Sequence, residues 1–200
     1  MWAKVNAPGA IYYDITWCGY AGAKPPARYA KLFELVTRAR DAALDFVRDG
    51  LAAGRTVRGW EIDKACRDVI AAQGLEPHFL HRTGHSIDSD VHGSGANIDG
   101  LETLDDRAIL PSTCFSIEPG IYLDGIGVRT EISVCIDAKN RVKVIGDMQR
   151  EFVELPSTRD GIENFLERRV LDGLNFQPGF GVELEAARRN DRMNARDQVR

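Results

Sequence analysis

The sequence has little of what marks a membrane protein or a nucleic-acid-binding protein. No apolar run approaches the roughly 20 residues that a transmembrane helix needs. The opening MWAKVNAPGA lacks the charged head and apolar stretch of a signal peptide. The net charge of -4 leaves no basic excess to hold a phosphate backbone. We therefore expect a cytoplasmic chain with neither a membrane nor a nucleic acid as its partner.

Cysteine is also scarce, and its spacing argues against two common kinds of site. The chain contains Cys18, Cys66, Cys114 and Cys135, with no C-x-x-C pair among them. The sequence therefore predicts neither a zinc knuckle nor a redox motif. Because free cysteine is among the most buried residue types, we expect all four to be reduced core residues.

The remaining composition is that of one ordinary globular domain. Hydrophobic residues make up 44% of the 200 residues and charged residues 28%, which allows a single domain with a sizeable core. The negative balance favours an acidic cleft that binds cations.

Hydrophobic periodicity predicts two helices in the first half of the chain. From Ala27 to Asp49 apolar residues recur at nearly helical spacing, and Gly50 is the expected stop. A second helix is predicted from about Gly59 to Gln73, with Gly74 as its C-terminal stop.

Strand-forming residues lie on both sides of these helices. The segment 9–17, GAIYYDITW, is rich in β-branched and aromatic residues and carries Asp14. From Phe115 onward, FSIEPGIYL, GVRTEISVCID and RVKVIG follow one another, and AKNR is typical of a hairpin turn. This order predicts an α+β fold that ends in an antiparallel meander.

The end of the chain differs in character from the rest. Residues 156–200 contain no lysine and finish in the charged run ARRNDRMNARDQVR. We interpret residues 1–155 as the main domain. Residues 156–200 are interpreted as a charged C-terminal extension that is partly disordered.

All four histidines of the chain lie close together in the sequence. They are His78, His81, His85 and His92, set among glycines, serines and acids. A satisfied core or surface histidine explains one such residue but not four. Since imidazole changes charge near neutral pH, the cluster predicts a functional site.

Three acids in or beside predicted strands could complete a metal site. They are Asp14, Glu118 and Glu131. Together with His85 they could converge on one cation, because neighbouring strands fix the directions of their side chains. One imidazole and three carboxylates suit manganese, cobalt, iron or zinc. Taken alone, each acid also has a structural explanation, for example Glu131 as an ion-pair partner of Arg129.

Four segments together resemble one known family. In chain order they are YYDITW, HRTGHSIDSDVHG, FSIEPGIY and GVRTEI. Their order and separations resemble the pita-bread metallopeptidases, the family of methionine aminopeptidase, aminopeptidase P, prolidase and creatinase, and most of all its Xaa-Pro peptidase-like branch. The resemblance covers about residues 1–155. It implies a curved antiparallel sheet flanked by helices, and hydrolysis of an N-terminal peptide bond, Xaa-Pro, by a metal-activated water.

The resemblance also implies a set of metal ligands. Asp14 and Glu131 would each bridge two divalent ions, for which manganese is the first expectation. His85 and Glu118 would bind one of these ions. Glu118 would in addition accept the proton of the attacking water.

Further residues of the same motifs are implied to support catalysis. His92 would contact the substrate near the scissile carbonyl, and His81 would be a second histidine of the catalytic pocket. Arg129 would steady the carboxylates from behind, as groups around metal ligands commonly do, and Thr16 completes the family's D-x-T pattern. His78 has no counterpart, and we expect it to be structural.

The chain departs from the family pattern near its beginning. A fifth ligand, an aspartate on the strand before Asp14, would fall at or before Met1, and neither Ala3 nor Asn6 can replace it. We therefore expect that the family's first strand and N-terminal domain are missing. A piece of a longer protein is favoured over a short protein with an impaired site, and we expect one bound ion instead of two.

Two other functions remain alternatives on the same fold. A non-catalytic peptide-binding module would be free to lose the ligands, and a creatinase-like C–N hydrolase would not need metal. The retained acids and histidines favour the peptidase. A short peptide is the expected partner, and a homodimer is left open.

Overall fold

Two consecutive helices lie between three short opening strands and seven later strands of the described chain. The computed structural model describes residues 1–22, 24–156 and 158. In chain order, the elements are β1 (Trp2–Ala3), β2 (Tyr13–Asp14), β3 (Gly19–Ala21), α1 (Ala27–Ala52), α2 (Gly59–Ala71), a 3-10 turn (Glu76–His78), β4 (Ser86–Ile87), β5 (Thr113–Ile117), β6 (Gly120–Leu123), β7 (Ile126–Arg129), β8 (Ile132–Ile136), β9 (Val142–Ile145) and β10 (Val153–Leu155). The predicted α+β class is confirmed.

Helix α1 is longer than its sequence pattern predicts. Its apolar residues pack into the core, with Leu32, Phe33, Leu35, Val36, Ala39, Ala43, Leu44 and Val47 all buried. Gly50 does not end the helix but gives it close packing, since a Cβ there would lie 2.5 Å from Val57 Cγ2. The stop is supplied by Gly54, whose φ of 69° is a conformation that glycine adopts without strain.

Helix α2 lies beside α1 and ends close to its predicted boundary. Its N-terminus is capped by Glu61, whose carboxylate accepts the backbone N–H of Arg58 at 2.8 Å. Ile62, Cys66 and Ile70 are fully buried and belong to the same core as α1. The two helices therefore form one layer against the strands.

The second half of the chain is not a simple meander. Its main sheet has the order β4-β5-β8-β9, with every neighbouring pair antiparallel. β6 and β7 form a separate hairpin, so β5 pairs directly with β8. Proline has no N–H to continue a ladder, and Pro119 accordingly stands between β5 and β6. The predicted hairpin turn between β8 and β9 is confirmed.

The opening strand is shorter than predicted but is tied in from two sides. A two-residue strand, β1, precedes it and pairs antiparallel with it, so that Trp2 faces Asp14. On the other side, Asp14 N–H donates to Ser133 Oγ at 3.1 Å, and the Ser133 hydroxyl donates to Asp14 O at 2.7 Å. Asp14 is thereby attached to β8.

Two of the cysteines contradict the expectation that all four are reduced. Cys114 on β5 and Cys135 on β8 are directly opposite each other in the ladder, and their sulfur atoms form a disulfide. Their separation of 21 residues gives no hint of this, because the pairing depends on the direct contact of β5 with β8. Cys18 and Cys66 are free, as expected.

Two further expectations concern membrane-spanning helices and the charged C-terminal extension. Neither helix in this part of the chain combines the length and the apolar character needed to cross a membrane. The predicted charged extension, residues 156–200, lies outside the described residues apart from Pro156 and Thr158.

Candidate metal centre

The predicted metal ligands come from four separate segments of the chain. Asp14 ends β2, His85 precedes β4, Glu118 follows β5 and Glu131 precedes β8. The β5–β8 ladder explains why the two glutamates approach each other: Ile117 pairs with Ile132, and each glutamate is the next residue beyond that pair. Both carboxylates therefore leave the sheet at the same end.

Asp14, His85 and Glu131 form the tightest group. One ligand atom of each lies within 4.8 Å of the corresponding atoms of the other two. These three side chains are almost completely withdrawn from solvent. The amino group of Met1 is also here, 3.9 Å from Asp14 Oδ1. The group is a candidate for holding a metal ion.

Glu118 lies beside this group. Its Oε1 is 3.4 Å from His85 Nε2, while Asp14 Oδ2 is 3.7 Å from the same nitrogen. The two oxygens of Glu118 are also held from behind, by the Ser116 hydroxyl at 3.2 Å and by Arg129 Nη1 at 3.2 Å. Glu118 is therefore oriented by neighbours that are not themselves candidate ligands.

The imidazole of His85 is arranged as a metal ligand would be. Its Nδ1 lies 3.0 Å from Ser86 O, and because a carbonyl oxygen can only accept, Nδ1 carries the hydrogen. Burial lowers the pKa of His85, which favours the neutral ring. Nε2 faces Asp14 and Glu118, at 3.7 and 3.4 Å. In a neutral ring with the hydrogen on Nδ1, this nitrogen carries a lone pair, which two carboxylates repel unless a cation lies between them.

The surroundings of the Glu131 carboxylate give a second indication that the group suits a cation. Its Oε2 accepts the Thr16 hydroxyl at 2.6 Å, but its Oε1 is buried without a hydrogen-bond partner in the described residues. Burial, together with the nearby Glu118 and Asp14, raises the pKa of Glu131 to about 8. A bare oxygen in such surroundings needs either a proton or a cation, so the donor set fits a metal ion.

A glycine brings the histidine against the sheet. Any Cβ at Gly84 would lie 2.0 Å from Ser116 O, so that only glycine permits this approach. His85 N–H then donates to Ser116 Oγ at 3.0 Å. Because the same hydroxyl contacts Glu118, one serine connects the histidine to the carboxylate.

The structure separates His81 from the metal group. Its Nδ1 lies 2.7 Å from Arg82 O and its Nε2 lies 2.9 Å from the Tyr122 hydroxyl. Arg129 Nε donates to the same hydroxyl at 2.8 Å. Burial lowers the pKa of His81. Arg129, which also contacts Glu118, thus connects His81 to the metal group through Tyr122.

Tyr122 is a site residue that the sequence reasoning missed. It belongs to the FSIEPGIY motif, so the signal was available, but strand residues with aromatic side chains are ordinarily core residues. Its contacts with both His81 and Arg129 give it a place in the pocket.

His92 and His78 have different surroundings. His92 is exposed, and its ring meets that of His85 edge-on, with centroids 4.4 Å apart and planes at 87°. It therefore lies on the solvent side of the candidate ligand, where a substrate could reach it. His78 ends the 3-10 turn and is not part of the metal group.

A buried network on α2, also missed from the sequence, supports the histidine segment. Arg67 pairs with Asp63 at 3.0 and 3.1 Å. Its guanidinium also donates to Phe79 O at 3.1 Å and to His81 O at 3.0 Å. Asp63 accepts both the N–H and the hydroxyl of Thr83, at 2.9 and 2.7 Å. Helix α2 thereby fixes the backbone that leads to the metal ligand.

Comparison with known proteins gives the same picture. Residues 5–138 match the model of metallopeptidase family M24. The probable dipeptidase PepE of Mycobacterium tuberculosis is 33% identical over 149 residues, which are 74% of this chain and 37% of that protein. The Xaa-Pro dipeptidase of Lactobacillus helveticus is 34% identical over 108 residues, 54% of this chain and 27% of that protein. This chain therefore spans less than half the length of these relatives.

Solved structures show the same fold over most of the described residues. Dipeptidase PepE from Mycobacterium ulcerans has a TM-score of 0.63 at 33% identity, covering 74% of this chain and 37% of that one. A dipeptidase from Pyrococcus horikoshii has a TM-score of 0.61 at 28% identity, covering 74% and 42%. The fold is thus the pita-bread fold, and the chain belongs to metallopeptidase family M24.

Proposed function

We propose that this chain contains the metal-binding part of a peptidase that hydrolyses the N-terminal Xaa-Pro bond of short peptides. The observation that carries the proposal is the cluster itself: His85 Nε2 lies 3.7 and 3.4 Å from oxygens of Asp14 and Glu118, and Oε1 of Glu131 is buried without a hydrogen-bond partner in the described residues. Relatives named Xaa-Pro dipeptidase and probable dipeptidase support the substrate class.

The donors suit one divalent ion. Asp14, His85 and Glu131 would hold it, with Glu118 alongside. Nitrogen and oxygen donors of this kind favour manganese, with cobalt, iron or zinc as alternatives. When bound, such an ion lowers the pKa of a coordinated water and polarises the carbonyl group that is attacked. We propose one ion in this chain, because Asp14, His85 and Glu131 are the one group of such donors within 4.8 Å of one another in the described residues.

Glu118 is the proposed general base. Burial raises the pKa of Glu118 above its usual range, which brings the carboxylate closer to the pH at which a base works well. Arg129 holds Oε2, so Oε1 is the oxygen that faces the metal group. It would take the proton of the attacking water and return it to the leaving nitrogen.

The two remaining pocket histidines have different proposed roles. His92 is exposed beside His85, and an N–H of its ring would donate to the carbonyl oxygen of the substrate. His81 contacts Tyr122 and Arg129. Because Arg129 holds Glu118, His81 would orient the base instead of touching the reacting atoms.

Metal analysis of the purified chain and a peptide assay test the proposal together. After incubation with Mn²⁺ and removal of excess ion, we expect about one Mn²⁺ per chain and release of the N-terminal residue from Xaa-Pro dipeptides. His92→Ala should keep the ion but lose roughly 100-fold in kcat, the low end of what acid–base groups contribute.

The negative outcomes are equally informative. A chain that binds Mn²⁺ and Xaa-Pro peptides without cleaving them contradicts the peptidase and favours a non-catalytic peptide-binding module. A chain that binds no divalent ion contradicts the ligand assignment and favours a creatinase-like hydrolase.

A further inference from the structure

Helix α1 directs one arginine into the interior behind the candidate metal centre. Arg40 is 0% exposed. Its Nη1 donates to Thr130 Oγ1 at 3.0 Å and to Gln149 O at 2.9 Å. Its Nε and Nη2 donate to Asp41 on the outer side, at 3.0 and 2.8 Å. One guanidinium therefore joins the helix to two distant segments of the chain.

Thr130 lies where the backbone passes from one ladder to another. β7 ends just before Thr130 and β8 begins just after Glu131, so that these two residues belong to neither strand. Their N–H groups are held singly, by Pro119 O at 3.3 Å and by Thr16 O at 3.0 Å. The hydroxyl of Thr130 supplies the link to α1, and Thr130 is fully buried.

Both neighbours of Thr130 act at the metal group. Arg129 Nη1 donates to Glu118 at 3.2 Å, and Glu131 is one of the three candidate ligands. Thr130 faces α1 while its neighbours face the acids. A shift of this residue would therefore move the proposed base and a proposed ligand together.

The contacts of Arg40 indicate that it positions the backbone near the site and does not neutralise a charge there. The other buried arginine among the described residues, Arg67, is matched by the carboxylate of Asp63. In contrast, the inward end of Arg40 meets only a hydroxyl and a carbonyl oxygen, and its carboxylate partner lies on the outer side. At the end that faces the site, the charged guanidinium thus bonds to uncharged acceptors, whose hydrogen bonds depend on direction.

We propose that Arg40 is a positioning residue for metal binding, acting through the Thr130 hydroxyl to fix Arg129 and Glu131 relative to each other. The inference rests on the proposed function only in that the group of acids binds a divalent ion. Groups that orient metal ligands in this way are typically worth 10- to 100-fold in metal affinity.

The decisive variants are at Thr130, where the side chain can lose its hydroxyl without changing shape. Thr130→Val is expected to weaken Mn²⁺ binding about 10- to 100-fold in calorimetric titration. Thr130→Ser, which keeps the hydroxyl, should rescue the affinity to within about twofold of the unchanged protein. Wild-type affinity in Thr130→Val would overturn the proposal, as would an equal loss in Thr130→Ser.

Replacing the arginine tests the link itself. Arg40→Met should weaken Mn²⁺ binding at least as much as Thr130→Val, because it also removes the bond to Gln149 O. The double variant should be no weaker than Arg40→Met alone, because the bond to Thr130 is already lost in that variant. If the loss of Mn²⁺ affinity in the double variant equalled the product of the two single losses, the two residues would not act through one bond. Arg48→Met, on the exposed side of α1, is the matched control and should not change the affinity. Should Arg40→Met fail to fold, the valine–serine comparison still decides.

A metal-free measurement separates this inference from the proposed function. In Thr130→Val, the amide hydrogen of Glu131 should exchange at least about 10-fold faster, because local opening becomes easier, while that of Val134 within β8 stays unchanged. Unchanged exchange at Glu131 would overturn the positioning role whether or not the chain binds metal. A wild-type chain that binds no Mn²⁺ defeats the proposed function, and the exchange rates then decide on Arg40 alone.

Discussion

The candidate site has two halves that are held in different ways. The carboxylate half, residues 113–136, rests on the β5–β8 ladder, whose paired strands end together at the two glutamates. The histidine half, residues 78–92, joins the edge of the same sheet through the two-residue strand β4. It is held by backbone bonds, such as that from Glu118 N–H to Thr83 O at 2.7 Å, and also by buried side chains that bond to its backbone. Backbone pairing thus places one set of ligands, and backbone bonds together with buried polar side chains place the other.

This difference determines where each half is sensitive to mutation. A ladder spreads its support over many backbone bonds, which substitutions of single side chains leave in place. Where a segment is held partly by side chains, the loss of one of these groups leaves a buried partner unsatisfied. We therefore expect point mutations to damage the histidine half more through its supports, and the carboxylate half mainly through its ligands.

The largest effect is expected from the ligand of the histidine half. His85→Ala should abolish Mn²⁺ binding, because it removes the nitrogen that faces Asp14 and Glu118. His78→Ala, in the same half but outside the metal group, should bind as the unchanged protein does. Titration calorimetry measures both. An equal loss of Mn²⁺ affinity in the two variants would mean that His85 is not itself the ligand and that any change in residues 78–92 disturbs binding.

The next effect concerns the supports. Asp63→Asn leaves Arg67 buried without its carboxylate, which should lower the free energy of unfolding by about 3–5 kcal/mol. Asp68→Asn on the same helix breaks only an exposed pair with Lys64, and should cost at most about 1 kcal/mol. Urea denaturation at neutral pH compares them. Similar losses in both variants would contradict the dependence on a buried support.

The disulfide tests the robustness of the carboxylate half. Cys135→Ser, or reduction of the disulfide, opens a loop of 21 residues and should lower the free energy of unfolding by about 3 kcal/mol. Mn²⁺ affinity should change less than about twofold, because the pairs from Phe115 to Ile117 remain. A strong loss of affinity would show that the ladder alone does not hold the glutamates.

The smallest effect lies at the far end of β8. Backbone N–H groups of Arg141 and Lys139 hold the pKa of Asp137 at about 2, below its ordinary value of 3.8. A lowered carboxyl pKa adds stability above the ordinary value and loses it as the pH falls toward 2. In denaturation between pH 5 and 2, Asp137→Asn should therefore show a shallower decline. Parallel curves for the two proteins would contradict this.

Local patterns in the sequence were sufficient for the helices and the last hairpin. The apolar period predicts α1 and α2, and AKNR predicts the turn before β9, since both signals depend on neighbouring residues alone. The acids and His85 could be named because each sits in a motif next to a predicted strand. Their convergence is seen in the structure, whereas their catalytic roles stay predictions.

Features that depend on distant pairing could not be predicted in the same way. The insertion of β6 and β7 between paired strands, and with it the disulfide, follows from contacts between segments far apart in the chain. Gly50 and Gly54 look alike in sequence, and only the structure distinguishes them, by the packing of Gly50 against Val57 and the positive φ of Gly54. Arg40 and Asp63 resemble ordinary charged helix residues until their buried partners are known.

The Ser133 hydroxyl gives the first ligand an unusual kind of attachment. It both accepts from and donates to the backbone of Asp14, where a strand pair would use several main-chain bonds. The spacing between the opening segment and β8 is therefore set by this rotatable side chain together with the backbone bond from Glu131 N–H to Thr16 O at 3.0 Å. In evolutionary terms, one codon adjusts part of the distance between Asp14 and Glu131, and a change there would alter the cavity while leaving both strands in place.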